Sequence, residues 1–400
     1  MKSRHLSLFI FVDALGGDIL SRHPFLLRNV SVERRRLATI FGYSSACDPS
    51  IISGRLPNEH RMWSSFYYAP DTSPFRPLRF LDVLPSRLVD RGRVRGWLSK
   101  IIKRAYGFTG YFQIYNVPFA VLPYFDYAEK RSIWREGLIR GTTIFDHLRK
   151  EGIPYVVEPG GAGDDVLLDR FENALDGGAR FAYICLGNLD ACLHRCGTEH
   201  AEVEDLLRWY DRRLGALLER VGRAYDSVTW YLFSDHGMHD VVESCNLPAD
   251  IAALNLTYGQ DYVAFYDATM ARFWFLNDRA RSRITRALRN HTMGRIVPDD
   301  ELRDMGVWFE DAMYGELIFL MQSGVMIAPG FMGKEPVPGM HGFHPSDSAS
   351  DAAIVSNKKL PARVRRIEQI YDLMLEDLGM PLAERSVQGP WRPLTPGACE

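Results

Sequence analysis

The chain has 400 residues, 46% hydrophobic and 24% charged, which excludes a disordered chain and leaves room for a large α/β unit with an insertion. A net charge of -2 gives no global case for a nucleic-acid polymer as partner. Six cysteines without a regular framework argue against a disulfide scaffold and fit a cytoplasmic protein.

The first apolar run, Leu6 to Leu15, follows Lys2 and Arg4 as in a short signal peptide. Asp13 interrupts it, however, and Gly16-Gly17-Asp18 is a poor cleavage site. The run reads as a core strand over 6–13 that ends on a carboxylate, with Gly16-Gly17 turning the backbone beneath a ligand site. No run approaches the roughly 18 apolar residues that a membrane helix needs. Ser44-Ser45-Ala46-Cys47-Asp48-Pro49-Ser50 reads as a loop feeding a helix N-terminus, either an anion cradle or a Ser-rich turn with an N-cap. Residues 62–135 are rich in aromatic residues, Pro and Arg. Within them, 87–104 carries apolar residues at 94, 97, 98, 101 and 102, a helical spacing with Trp97 on the apolar face. This basic helix reads as an amphipathic element covering the core, with peripheral contact to an anionic membrane surface as the alternative.

A helix at 142–150, a strand at 154–157, a helix at 164–175, a strand at 181–187, a long amphipathic helix at 201–224 and a strand at 228–234 follow. The alternation predicts an α/β fold with a largely parallel sheet sandwiched by helices. Residues 240–340 break that rhythm. Strands at 262–266 and 271–276, a basic helix at 278–290 and a strand pair within 316–327 predict an inserted α+β cap or lid. A strand at 352–356 and a helix over 362–378 complete the pattern. The expected organisation is a catalytic core of 1–240 and 340–380, including the insertion at about 62–135, a cap at 241–339 and an irregular tail at 381–400.

Three apolar runs end in metal ligands: Asp13, Asp190 with His194, and Asp235-His236-Gly237. His341 follows in a Gly-flanked segment. Asp and His suit Zn2+, and carboxylates also suit Mn2+ or Mg2+. Two such ions about 4 Å apart clamp an in-line displacement at phosphorus, and a hydroxyl such as Ser44 becomes a nucleophile when a metal lowers its pKa. Cys192 and Cys196 have no second Cys/His pair nearby and do not make a closed zinc knuckle. His344 is a candidate leaving-group acid or support for the same pocket. His239 reads as a surface loop residue. Asp48 and Asn58 read as groups behind the ligands or as turn residues.

The order of Asp13, Ser44 nine residues before Ser53-Gly54, Asp190-x-x-x-His194, Asp235-His236-Gly237 and His341-Gly342 resembles the alkaline phosphatase superfamily. Within it, the type I phosphodiesterase/nucleotide pyrophosphatase branch is most similar, over about residues 6–378. Its Thr-Gly-x-x-Pro motif is matched by Ser53-Gly54-Arg55-Leu56-Pro57, with His60 following. The resemblance implies an alkaline-phosphatase-like fold and a two-metal phosphoric ester hydrolase, more a phosphodiesterase than a phosphatase. It implies Ser44 as nucleophile and as the site of a phospho-enzyme. It also implies one zinc on Asp13, Ser44, Asp235 and His236, and a second on Asp190, His194 and His341. The substrate it implies is a small-molecule or lipid-linked phosphate ester.

One departure stands out. The family's Asn three residues after the nucleophile is Cys47 here, a poor donor. Ser45, a backbone N–H or a basic cap residue then has to steady the phosphoryl oxygen, and Cys47 reads as a packing residue. Cys47-Asp48-Pro49-Ser50-Ile51 also resembles the start of the sulfatase motif Cys-x-Pro-Ser-Arg, but Ile51 replaces the Arg. The alternatives on the same fold are a phosphotransferase to an alcohol or lipid, a phosphonate hydrolase, or a metal-binding member without catalysis.

Overall fold

Strand His5–Val12 is buried from Leu6 onward. Apart from Ser7 its buried residues are all apolar, as a parallel strand covered on both faces requires. It pairs in parallel with Phe181–Leu186 on one side and Ser227–Phe233 on the other. The full sheet runs Glu33–Leu37, Ala352–Ser356, Ser227–Phe233, His5–Val12, Phe181–Leu186, Tyr155–Glu158. The last four strands are parallel, and Ala352–Ser356 is antiparallel to both of its neighbours. One face packs against helices Ser44–Ser53, Ile144–Lys150 and Ile370–Asp377. The other packs against Gly17–Arg22, Asp164–Ala174, Asn188–Cys196 and Ala201–Ala224. The computed structural model describes residues 4–83, 91–175 and 178–382.

This layering places the functional edge. Asp13 follows Val12, Asp235 lies just beyond Phe233, and helix Asn188–Cys196 starts just beyond Leu186, all at the carboxyl edge of adjacent parallel strands. Two glycines allow the first two to approach. A Cβ on Gly16 would lie 2.6 Å from Gly237 Cα, and one on Gly237 would lie 2.1 Å from the Ala349 carbonyl oxygen. Neither position accepts a side chain without backbone movement.

Over the same edge stands an antiparallel sheet in the order Tyr262–Tyr266, Met270–Phe275, Leu317–Met321, Gly294–Val297, with helix Asp278–Arg289 beside it. It shares an apolar core with the aromatic segment: Phe66, Phe75, Ile102 and Phe112 pack with Val263, Phe265 and Phe319. The fully buried Arg272 ties the two together. Its guanidinium donates to Asp267 at 2.8 Å, to the Phe66 carbonyl at 2.8 Å and to Ser64 Oγ at 3.1 Å.

Several expected elements differ. The strands within 316–327 do not pair with each other: Leu317–Met321 joins the antiparallel sheet, whereas Val325–Ile327 runs parallel to Glu243–Cys245. The last helix covers only Ile370–Asp377, after a 3-10 turn at Ile367–Gln369. The chain before it is held extended, because Ala38 receives from Ile367 N and donates to the Arg365 carbonyl. The basic helix covers Gly92–Ala105, and its inward face is turned from the expected one: Ile102 is buried and Leu98 packs against the core, but Arg95 and Ser99 are buried beside them in place of Trp97 and Ile101. Arg95 is buried, with its guanidinium 4.3 Å from the centre of the Phe119 ring and 2.7 Å from the Val117 carbonyl, while Trp97 is 63% exposed. Residues 87–90 of that stretch and the tail from 383 lie outside the described residues.

Candidate active site

Ser44 is the first residue of helix Ser44–Ser53, so its hydroxyl stands at the sheet edge; Oγ lies 3.1 Å from His236 Nε2. His236 Nε2 is also 3.1 Å from Asp235 Oδ2 and 3.6 Å from Asp13 Oδ1. The other ring nitrogen, Nδ1, donates to the Gly237 carbonyl at 2.9 Å, which turns Nε2 toward the carboxylates. Thr39 holds the backbone here by donating to the Asp235 carbonyl at 2.6 Å.

Asp190 and His194 lie one turn apart on helix Asn188–Cys196, so both face the same side, and Asp190 Oδ1 is 3.3 Å from His194 Nε2. His194 Nδ1 donates to the Gly339 carbonyl at 2.8 Å, and so Nε2 presents its lone pair. His341 Nε2 lies 3.8 Å from the same Asp190 oxygen. The His236 and His341 rings stack at 3.7 Å, which joins the two groups into one centre. The structure therefore brings together Asp13, Ser44, Asp190, His194, Asp235, His236 and His341.

Burial makes this centre electrostatically unfavourable by itself. Burial and then the charges of Asp235, Asp190 and Asp48 push the Asp13 carboxyl well above its usual range. Burial likewise raises Asp190, against the pull of His194 and His236. Burial would lower the His236 imidazole, but Asp235 and Asp190 raise it to about 9. His341 is pushed well down, by burial first and then by the neighbouring His236 and His194. Among the atoms of these seven residues, four are buried without a hydrogen-bond partner: Asp13 Oδ1, Asp190 Oδ1, Asp235 Oδ2 and His341 Nδ1. Orphaned carboxylate oxygens beside imidazole lone pairs are the donor set that divalent ions satisfy.

The type I phosphodiesterase/nucleotide pyrophosphatase model matches residues 8–329. The chain belongs to this family. Its members are metal-dependent hydrolases of phosphoric esters, and this chain is such an enzyme. Human ectonucleotide pyrophosphatase/phosphodiesterase 5 shares the fold with a TM-score of 0.69 at 11% identity, over 95% of this chain and 96% of that one. An inactive murine form in complex with AMP gives 0.64 at 12%, over 96% and 97%. Phosphonoacetate hydrolase from Sinorhizobium meliloti 1021 gives 0.62 at 12%, over 94% and 96%. No curated protein matches the sequence.

Other expected residues of this family member are placed differently. Cys47 is fully buried in the core, 3.8 Å from Thr39 Oγ1, and burial pushes its thiol well up, so it packs and does not face substrate. Ser45 lines the cavity, but its hydroxyl donates to the Trp63 carbonyl at 3.3 Å. His344 is turned outward: Nε2 is 2.6 Å from Glu301 Oε1, and Nδ1 is 2.6 Å from Ser346 Oγ. His239 is buried rather than on the surface, with Nε2 2.9 Å from Ser350 Oγ and its ring against Phe343. His60 is structural: it bonds Ser50 Oγ at 2.9 Å, and burial lowers it to about 3. Asp48 does line the cavity, one turn beyond Ser44.

Three supporting groups were not legible in the sequence. Asp164 accepts from the Gly187 and Asn188 N–H groups at 3.0 and 3.1 Å, anchoring the start of the helix that carries Asp190 and His194. Tyr43 and Thr269 join hydroxyls at 2.9 Å, and Thr269 Oγ1 donates to the Gly342 carbonyl, next to His341, at 2.9 Å. Glu129 lines the cavity, and burial raises it to about 7. An acid opening the first turn of a helix was a local clue for Asp164; the others depend on distant partners.

Proposed function

We propose that this protein is a two-zinc phosphodiesterase in which Ser44 attacks phosphorus. One observation carries the reading. The Ser44 hydroxyl opens a helix beside His236, among carboxylate oxygens without partners, on the wall of a cavity of about 830 Å3. Asp13, Ser44, Asp235 and His236 form one half-site, and Asp190, His194 and His341 the other. Two divalent ions held there would shield the phosphoryl oxygens, lower the pKa of the serine hydroxyl and stabilise the leaving oxygen. The mixed imidazole and carboxylate donors favour zinc, with Mn2+ or Mg2+ as substitutes.

Ser44 forms a phosphoserine ester as the bond to the leaving alcohol breaks, and the proton that Ser44 loses ends, by way of solvent, on that alcohol. Water then attacks that ester and restores the hydroxyl. Cys47 cannot steady the phosphoryl oxygen. The N–H groups of Ser44 and Ser45 take that part, since they precede the first bond of this helix, from Ala46 N to the Tyr43 carbonyl.

The cavity wall narrows the substrate. Among the described residues it has no Lys or Arg, but it has Phe66, Tyr111, Tyr115 and Trp134, with Glu129 and Glu335. Such a wall accepts a diester with one negative charge and an apolar or cationic alcohol. It disfavours a second anion, whether a further phosphate or the carboxylate of a phosphonate such as phosphonoacetate. A lipid-linked ester also agrees with the outer face of the aromatic segment. There Trp97 and Ile101 are exposed on the helix that also exposes Arg93, Lys100 and Arg104, and Phe80 and Val83 are exposed earlier in the segment, a composition suited to peripheral contact with anionic lipid. Free thiols at Cys47, Cys185, Cys192, Cys196 and Cys245 support a cytoplasmic setting.

The test is hydrolysis by zinc-loaded protein of bis(p-nitrophenyl) phosphate, p-nitrophenyl phosphate and phosphonoacetate. The diester is expected to give the highest kcat/KM, and Ser44→Ala to lose roughly 1,000-fold or more. Retained activity in Ser44→Ala, or no cleavage by metal-replete protein, refutes the reading. Flotation with anionic liposomes checks the lipid contact.

A further inference from the structure

Among the described residues, one cluster outside the active site also brings metal-ligating atoms together. Cys245 ends strand Glu243–Cys245, where the chain enters the cap region. Asp250 lies on the short helix Leu247–Ala252, and His291 follows helix Asp278–Arg289. Cys245 Sγ is 3.5 Å from His291 Nε2, His291 Nε2 is 3.5 Å from Asp250 Oδ2, and Cys245 Sγ is 3.9 Å from Asp250 Oδ2. Bonds of about 2.3 Å to sulfur and about 2.1 Å to nitrogen or oxygen give tetrahedral edges of about 3.3–3.6 Å. A zinc-sized ion therefore fits on this face after a small closure of the sulfur–oxygen edge.

The hydrogen bonds that hold the arrangement are long: the Cys245 thiol donates to Asp250 Oδ2 at 3.9 Å and lies 3.5 Å from His291 Nε2. The imidazole nitrogen, 3.5 Å from the carboxylate oxygen, is beyond an ordinary N–H···O bond. Two of the donors sit in firm surroundings. Cys245 is buried and its strand pairs with Val325–Ile327, while the His291 ring stands edge-on to Phe319 at 5.4 Å. Asp250 reaches in from an exposed position, which leaves the fourth corner open to water.

We propose that Cys245, Asp250 and His291 bind a thiophilic divalent cation of the zinc class, separate from the active site. A thiolate in the donor set selects Zn2+ over Mg2+, Mn2+ or Ca2+. Binding releases the thiol proton to solvent and requires the ring proton on Nδ1. Met293 N–H now donates to that Nδ1 at 3.2 Å, so loading exchanges this bond and the two long hydrogen bonds of the Cys245 thiol for three coordinate bonds. The ion would tie the first strand of the cap region, shortly after Asp235-His236, to the end of helix Asp278–Arg289.

Cobalt distinguishes this site from the active site, whose proposed ligands include no sulfur. Metal-free full-length protein is titrated with Co2+ and followed in the near ultraviolet for thiolate-to-cobalt charge transfer. Wild type is expected to develop that band and to bind one more equivalent than Cys245→Ser. Cys245→Ser is expected to lose the band and keep its diester hydrolysis. His291→Gln, a second variant that leaves the thiol in place, is expected to weaken the band-forming site at least tenfold. A wild type without the band, a band that survives in Cys245→Ser, or unchanged affinity in His291→Gln overturns the proposal and leaves an ion pair with a neighbouring thiol. None of the three outcomes that overturn the proposal depends on what the active site cleaves.

Discussion

Asp164 anchors the start of the helix that carries Asp190 and His194. It is fully buried, and its two carboxylate oxygens accept from the first N–H groups of helix Asn188–Cys196 and from the Tyr210 hydroxyl. Asp164→Ala removes the acceptor of two backbone donors, on the exposed Gly187 and Asn188, and of the buried Tyr210 hydroxyl. Water can replace the acceptor for the two N–H groups, so with about 1–2 kcal/mol for the hydroxyl and about 0.5 kcal/mol for each N–H the expected loss of stability is roughly 2–3 kcal/mol. Asp164→Asn keeps one acceptor oxygen but turns an amide N–H toward a backbone N–H. It therefore strands about one group and should cost roughly 1–2 kcal/mol. The same helix start sets where Asp190 and His194 stand, so both variants should also weaken zinc, Ala more than Asn. Urea unfolding of the metal-free protein measures the first effect, and zinc titration of protein still folded without urea measures the second. An Asp164→Ala midpoint within experimental error of wild type, or a loss equal in both variants, refutes the anchoring role.

Thr269→Val removes the hydroxyl that links Tyr43 to the Gly342 carbonyl. It should cost about 1–2 kcal/mol and raise the zinc Kd several-fold, because His341 is the next residue. Arg272→Ala leaves Asp267 buried without its cation and should destabilise by roughly 3–5 kcal/mol in thermal or urea unfolding; a loss under about 1 kcal/mol would refute this. Glu129 gives a pH signature. Its folded pKa of about 7 lies above the ordinary 4.5. Below that ordinary value both states hold the proton. Between the two values the unfolded chain loses it first, so wild-type stability falls as pH rises through this window, by on the order of 1–3 kcal/mol. Glu129→Gln should gain on wild type by that amount between pH 4.5 and 8 in urea unfolding, and an unchanged difference refutes the environment assigned to it.

The residues that gather at the candidate metal centre were legible because each stands where local order fixes it. Asp13 and Asp235 end parallel strands, and Asp190 with His194 share a helix face, so their spacing survives folding. The groups that hold them were not, since Tyr43 meets Thr269 across 226 positions and His344 finds Glu301 in the cap region rather than the cavity. The basic helix shows the same limit in another form. Its period was right, but the inward face is set by Phe119 and the Val117 carbonyl, which prefer the Arg95 guanidinium to the Trp97 ring. Cys47 follows from both lessons. Three residues into a helix whose first hydroxyl faces the cavity, it turns toward Thr39 and the core, so the fold asks it only to be small and apolar. The N–H groups of the helix start, by contrast, require no particular side chain and so leave no trace in the residue pattern.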